Sequence, residues 1–327
     1  MSASVRDPRP STMFADLDVD VATDVPIGAM TWYGIGGAAD FVVRPRSLDA
    51  LTALLRRTRR EGLPVRVLGN GANLLVADEG VDGVVLKLDA PAFTEVRYNA
   101  KGEVEAMRVG AGADMAKVLN DTVRRGLEGL SQMAGIPASI GGAIRMNAGG
   151  AYGSIGDSVH SVGWLSETGD IHVLPASALR FGYRETNIPP GVILWAAFDL
   201  RETDPVALRE RVKEIFNYKK STQPLADHSA GCMFKNPVDP VSGTRVSAGM
   251  LVDKAGMKGS AVGGAHVSQR HGNFISVMPM TRAADVIELV RRVKERVRDA
   301  HGIELHTEVA FWSRSDRSGG PEAGVMT

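Results

Sequence analysis

The chain has 327 residues, more than a single core comfortably fills, so two or three domains are expected. Its 38 Lys and Arg balance 38 Asp and Glu, which excludes a global field drawing nucleic acid or an anionic membrane and leaves room only for a local basic pocket. A single cysteine, Cys232, excludes an intrachain disulfide, and with scattered histidines it gives no zinc-ligand spacing; both suit a reducing, cytoplasmic setting.

Residues 1–23 are polar and proline-bearing, lack an apolar signal core and are expected to be loosely ordered. No run of about 18 apolar residues occurs, so no membrane span is expected. Ser47 to Gly62 reads as a helix: Leu48, Leu51, Leu54 and Leu55 share a face, Ser47 can cap the start and Gly62 ends it. Val65 to Leu68 reads as a buried strand running into Gly69-Asn-Gly-Ala-Asn-Leu74, and Val84 to Leu88 as another strand.

A second unit begins near Ala90. Val104 to Val109 reads as a strand, Gly110-Ala-Gly112 as a loop, and Asp114 to Arg125 as a helix capped by Asp114 and stopped by Gly126. Residues Gly135 to Gly150 hold so much glycine that neither a helix nor a plain strand is expected. Such a segment lets a ligand approach the backbone closely, and convergent N–H dipoles suit a diphosphate; a buried turn region is the other reading. Strands are expected at Val159 to Leu165, Ile171 to Leu174 and Val192 to Leu200, with a turn at Gly169-Asp170.

Asp204 to Lys220 reads as a helix with Pro205 in its first turn and a stripe of Leu208, Val212, Ile215 and Phe216. Thr222 to Leu225 marks a boundary. The third unit holds helices at Ala248 to Ala255 and Arg282 to Ala300, the latter with a buried stripe of Val286, Leu289, Val290, Val293 and Val297. Residues 312–327 are rich in Gly, Ser and charge and read as a loose tail. Because strict β-α alternation fails in the middle unit, α+β fits better than a doubly wound sheet.

Four constellations could carry chemistry. The glycine loops suggest a long anionic cofactor gripped by two units. Gly34-Ile-Gly-Gly-Ala-Ala39 runs into β-type residues rather than a helix, and no P-loop pattern occurs, so a Rossmann site and a P-loop are both disfavoured. Cys232 lies among Gly231, Lys235 and Asn236; a thiol can protonate a carbanion, attack a carbon or merely fill a core. Arg184, in Phe181-Gly-Tyr-Arg-Glu-Thr186, carries a fork suited to a carboxylate or an enolate. Glu304, His306 and Glu308 alternate, so in a strand they would share one face, which reads plainly as solvated; their place just after the long helix, close to the folded end, draws interest to Glu308.

In this order the pieces resemble the UDP-N-acetylenolpyruvoylglucosamine reductase family of peptidoglycan precursor synthesis. The resemblance runs from about Thr31 to Phe311. It rests on Thr31 to Asp40, Leu68 to Leu75, Gly135 to Ala143 with Met146 to Gly149, Tyr183-Arg184, Gly231 to Pro237, Gly263 to Ala265 with His271, and Glu308-Val309. It implies an FAD-binding fold of the vanillyl-alcohol oxidase type in two α/β subdomains, residues 24–89 and 90–220, followed by an α+β substrate domain, residues 221–311. It implies FAD, NADPH and UDP-N-acetylglucosamine enolpyruvate, with hydride passing from NADPH through the flavin to the enol ether β-carbon and a proton to the α-carbon.

Carried over residue by residue, Arg184 and Glu308 would stabilise the enolate-like charge and Cys232 would donate the proton. Gly69, Asn70, Gly71, Ala72, Asn73, Leu74, Gly135, Ile136, Ser139, Ile140, Gly141, Gly142, Ala143 and Asn147 would hold FAD. Tyr183, Lys220, Lys235, Asn236 and His271 would hold the UDP-sugar. This chain departs from the family at two positions: serine is usual where Cys232 stands, and glutamate is common where His306 stands. Only a short turn and a strand separate Thr186 from the helix at Asp204, which resembles the shorter branch, without the extra substrate-covering loop and with a more open UDP site. The sequence leaves the oligomeric state open, with a monomer an acceptable reading. Two alternatives stand beside this one: another flavin oxidoreductase of the same superfamily acting on an alcohol or 2-hydroxy acid, and a non-catalytic nucleotide-binding module. Turnover of the enol ether and the colour of the purified protein separate them.

Overall fold

The computed structural model describes residues 11–99 and 107–314. Residues 1–10, Val104 and the part of the expected tail beyond residue 314 lie outside the described residues. The first unit is built on a four-stranded sheet, ordered Val19–Val25, Ala39–Pro45, Val81–Leu86 and Val65–Val67, with an antiparallel first pair and two parallel pairs after it. The helix Leu48–Arg60 packs on it through Leu51, Leu54 and Leu55, with Ser47 Oγ accepting from the Ala50 N–H at 3.1 Å.

The expectation of loose order is corrected here from residue 11 to residue 23. Ser11–Phe14 form a turn of 3-10 helix and Val19–Val25 form the edge strand of the sheet. The signal was weak because the strand reads half polar: most of its side chains face solvent. What anchors the segment is Phe14, buried edge-on against Phe41 at 5.6 Å.

The second unit is a five-stranded antiparallel sheet, ordered Ile171–Pro175, Val159–Ser166, Gly191–Phe198, Met107–Gly110 and Val96–Tyr98. The helix Met115–Arg125 begins with Asp114 accepting from the Lys117 N–H and ends at Gly126 in the left-handed region (φ 67°). One core joins this unit to the first: Leu54 and Leu86 pack in the same cluster as Met107, Val118, Ile140 and Phe198. The glycine-rich segment contains a helix after all, Ile140–Arg145. Glycine costs a helix about 1 kcal/mol per residue, but Ser139 caps the start and Ile140, Ala143 and Ile144 are buried, so packing overrides propensity.

The helix Pro205–Thr222 is capped by Asp204. Phe216, expected on its buried stripe, is 43% exposed, and Lys219 takes the inward position instead, continuing the face of Leu208 and Ile215. The third unit combines a three-stranded sheet (Ala261–Val262, Ala265–Val267, Ile275–Val277) with the helices Ala248–Lys254 and Ala283–His301. The four expected valines and the leucine of the long helix are buried there, and Tyr33 and Leu75 from the first unit share that core.

Glu304, His306 and Glu308 do not form a regular strand. The chain is extended there, with one bridge between Thr307 and Phe234. Burial still alternates, so Ile303, Leu305, Thr307 and Val309 are inside while Glu304 and His306 are exposed. The following strand, Ala310–Trp312, pairs in parallel with Leu74–Val76, so the chain's C-terminal part returns to the first unit. The tail expected from residue 312 is therefore ordered at its start, and Arg314 bonds to Asp40 at 2.8 Å.

Candidate active site

A cleft of about 2100 Å³ is lined by residues of all three units. That exceeds the roughly 300–1,000 Å³ of an ordinary small-molecule pocket, and suits an elongated cofactor with a second ligand beside it.

The loop Gly69 to Asn73 forms one wall. Gly71 has φ 66°, and a Cβ there would sit 2.6 Å from the Met30 carbonyl oxygen, so only glycine fits. The Lys87 Nζ donates to the Gly69 carbonyl at 2.8 Å, and Asn70 Nδ2 to Asp114 at 3.1 Å, which fixes the loop from two sides. Among the described residues, the backbone N–H groups of Asn70, Gly71, Ala72 and Asn73 donate to no protein acceptor. Four such donors on a cleft wall suit an anion.

The second wall comes from Gly135, Ile136, Ser139, Gly141, Gly142 and Ala143. It touches the first: a Cβ on Gly69 would meet Ser139 Oγ at 2.4 Å. The N–H groups differ here. Gly141 donates to Ala111 and Gly142 to Ser139 Oγ, so this wall offers close approach more than free donors. Ile140 is a correction: it is fully buried in the core, its N–H donates to the Ala113 carbonyl, and it is not part of the lining. A residue opening a helix against the sheet must point its side chain inward there. Asn147 lines the cleft, but both ends of its amide are used within the protein: Nδ2 donates to Gly182 at 2.7 Å and Oδ1 accepts from Gly156 at 3.1 Å. It therefore ties the Phe181–Thr186 hairpin to the glycine segment.

That hairpin carries Arg184 at its tip, in the left-handed region (φ 61°) that non-glycine residues seldom adopt. Its Nε donates to Glu308 Oε1 at 2.5 Å and its Nη2 to the Gly149 carbonyl at 2.8 Å. The neighbouring Tyr183 lies under the Arg245 guanidinium at 4.2 Å, and its hydroxyl accepts from the Asn236 N–H at 3.2 Å. Glu308 is fixed through its backbone: its N–H donates to the Met233 carbonyl at 2.8 Å, and its carbonyl accepts from Asn73 Nδ2 at 3.0 Å. Asn73 thus joins the first glycine loop to the catalytic candidates.

Cys232 lines the same cleft, next to Met233, and bridges Phe274 through its backbone. Its segment is clamped by Asn273, a buried residue the sequence reading passed over. The Asn273 side chain accepts from the Phe234 N–H and donates to the Phe234 carbonyl, both at 2.8 Å. Cys232, Arg184 and Glu308 are therefore brought together from three distant parts of the chain.

Burial dominates the charges. It raises the Glu308 carboxyl above the ordinary range against the pull of Arg184 and Lys235. It pushes the Cys232 thiol up to about 12, with the Glu308 charge adding and Arg184 opposing. Burial also works against the Arg184 charge, but Glu308 more than restores it, and the guanidinium is held above its usual value. The site thus keeps a protonated thiol beside a permanent cation.

The expected UDP-contacting residues divide. Tyr183, Asn236 and His271 line the cleft. His271 has its pKa lowered by burial and then by Lys258, so it is neutral near pH 7, and its Nδ1 accepts from the Asn273 N–H. Lys235 lies with Asn236, Arg245 and His306 around a separate small cavity of about 360 Å³. Lys220 is exposed and absent from the lining; Lys219 is the lysine that turns in. Its Nζ donates to the carbonyls of Ala134 (2.6 Å) and Gln132 (3.4 Å), and burial, then the Arg184 charge, lowers its pKa to about 8. The buried-stripe periodicity could have identified it, had a lysine been allowed on that face.

Two family models cover most of the described chain: an FAD binding domain over residues 39–175, and the C-terminal domain of UDP-N-acetylenolpyruvoylglucosamine reductase over residues 223–312. The chain is 38% identical to the UDP-N-acetylenolpyruvoylglucosamine reductase of Moorella thermoacetica, over 90% of this chain and 94% of the relative. It is 36% identical to that of Bacillus subtilis, over 88% and 93%. A solved structure of the Thermus caldophilus reductase superposes with a TM-score of 0.75 at 35% identity, covering 90% of this chain and 99% of that one.

Proposed function

The chain belongs to the UDP-N-acetylenolpyruvoylglucosamine reductase family, and from that premise we propose how its residues reduce UDP-N-acetylglucosamine enolpyruvate to UDP-N-acetylmuramate with FAD and NADPH. The fold is α+β, with a flavin-binding region of the vanillyl-alcohol oxidase type and a C-terminal substrate unit. The two glycine walls fit FAD: they are slim, they touch, and one offers four backbone donors without an acceptor among the described residues. When bound, FAD would supply the hydride chemistry that links NADPH to the β-carbon of the enol ether.

That delivery leaves negative charge on the α-carbon, delocalised into the carboxylate. Arg184 answers it with a fixed guanidinium, held in place by Glu308 and the Gly149 carbonyl. Cys232 donates the proton to the α-carbon, since its thiol is fully protonated at working pH yet more acidic than the serine hydroxyl usual in the family. Glu308 orients Arg184 and holds its guanidinium charge at the site. Tyr183, Asn236 and Lys219 line the cleft beside Arg184 and would hold the substrate's carboxylate and diphosphate. The reaction belongs in the cytosol, where NADPH and a reduced Cys232 are both available.

The observation that carries this reading is the convergence of Cys232, Arg184 and Glu308 on the cleft that the glycine loops also wall. The test is a visible spectrum of the purified protein, anaerobic bleaching of the flavin bands by NADPH, and recovery of colour when the enolpyruvyl substrate is added. A colourless protein that binds no flavin, or a bleached flavin that the enol ether leaves bleached, overturns it.

A further inference from the structure

Arg145 closes the short helix Ile140–Arg145 and lines the cleft. Its Nη1 donates to the carbonyls of Ile188 (2.7 Å) and Pro189 (3.1 Å), and its Nη2 to that of Gly191 (3.2 Å). All three acceptors are neutral. Burial draws its pKa down, to about 10, and no carboxylate pulls it back. By contrast, the buried guanidinium of Arg66 is paired with Asp82 and that of Arg184 with Glu308. Lys219 also rests on carbonyls alone, but beside Arg184. A cation taken out of water without a counter-charge is costly, and carbonyl dipoles meet only part of that cost. Nε of Arg145 donates to no described residue, so the edge of the fork stays available.

Its place in the fold says which anion fits. Gly141 and Gly142 precede it by about one turn on the same helix, roughly 4.5–6 Å of rise, and belong to the wall that meets Gly69. The N–H groups of Asn70 to Asn73, without an acceptor among the described residues, follow directly from Gly69.

We propose that Arg145 supplies the counter-charge for the phosphate groups of the resident flavin dinucleotide, an assignment that rests on the flavin reading above. A guanidinium added to backbone donors raises affinity for a phosphate and adds nothing for the bare isoalloxazine ring. Arg145 thereby selects FAD and FMN over riboflavin.

The experiment strips the flavin and titrates the apoprotein with FAD, FMN and riboflavin, following quenching of flavin fluorescence. Arg145→Gln should weaken FAD by about 10- to 100-fold, the loss of one charge-assisted contact. Riboflavin should be unchanged, and the salt dependence of FAD binding should flatten. Arg145→Lys, which keeps the charge, should retain most of the FAD preference, and it carries the test if the glutamine variant does not fold. Equal weakening of FAD and riboflavin would mean that Arg145 only secures the 188–191 segment, and the proposal fails. Unchanged FAD affinity with a raised KM for the UDP-sugar would move the charge to the substrate's phosphates, and the proposal also fails. If the wild type itself takes up no FAD, the flavin reading falls with it; if the wild type binds and Arg145→Gln binds equally well, only this assignment falls.

Discussion

Replacing Cys232 separates the two half-reactions. With the thiol pushed up to about 12, only about one molecule in ten thousand carries a thiolate at pH 8, so the proton is in place when the enolate forms. A positioned general acid contributes about 10²- to 10⁴-fold. Cys232→Ala should therefore slow the second half-reaction by that factor, because Arg184 and the cleft still bind the substrate but water must supply the proton. Flavin reduction by NADPH calls for no proton from Cys232 and should change by less than about twofold. Cys232→Ser restores a donor in the same position and should stay within about tenfold of the wild type. Anaerobic stopped-flow spectrophotometry reads both steps from the flavin bands, bleaching with NADPH and recovery with the enolpyruvyl substrate. Equal slowing of both steps in the alanine variant, or unimpaired recovery, would refute the role.

Three further outcomes follow from the geometry. Asn273→Ala leaves the Phe234 N–H and carbonyl buried without partners; urea unfolding should show a loss of about 2–4 kcal/mol, with kcat falling more than KM rises, because the Cys232 segment loses its clamp. Gly71→Ala would push a Cβ against the Met30 carbonyl in a left-handed backbone, and the purified variant should lose bound flavin, read as the ratio of flavin to protein absorbance. Lys219 has its folded pKa lowered to about 8, below the unfolded value, so between those two pKa values the unfolded chain binds more protons and stability rises with pH. The stability of the wild type relative to Lys219→Met should therefore increase by about 1–3 kcal/mol from pH 8 to pH 10.5, measured by denaturant titration; a flat difference would show that the ammonium is not held against its charge.

Local signals were legible wherever a few neighbouring residues decide the backbone. Ser47 and Asp114 cap the helices they were expected to cap, and the stripe from Val286 to Val297 is buried along its whole length. The errors fell where distant packing outvotes local preference. Ile140–Arg145 is helical despite two glycines because three apolar side chains sink into a core shared by two units. The strand Val19–Val25 looked too polar to order, yet it needs only one apolar face and a partner strand.

The choice between Lys219 and Lys220 shows the limit most clearly. The two differ by one residue, which on a helix is a rotation of roughly 100°, and the sequence contains both lysines without saying which side the cleft lies on.

By itself the sequence determined the longer helices, the glycine loops and, through its ordered motifs, the family, because these depend on short-range chemistry written in consecutive residues. Tertiary structure alone decided that Arg184 meets Glu308 across 124 positions, that Asn73 holds Glu308 across 235, and that Ile140 turns to the core while Arg145 is left facing the cleft. Those contacts arise from the returning strand Ala310–Trp312 and the hairpin carrying Arg184, whose placement is set by which apolar faces bury one another and not by any pattern within a single segment.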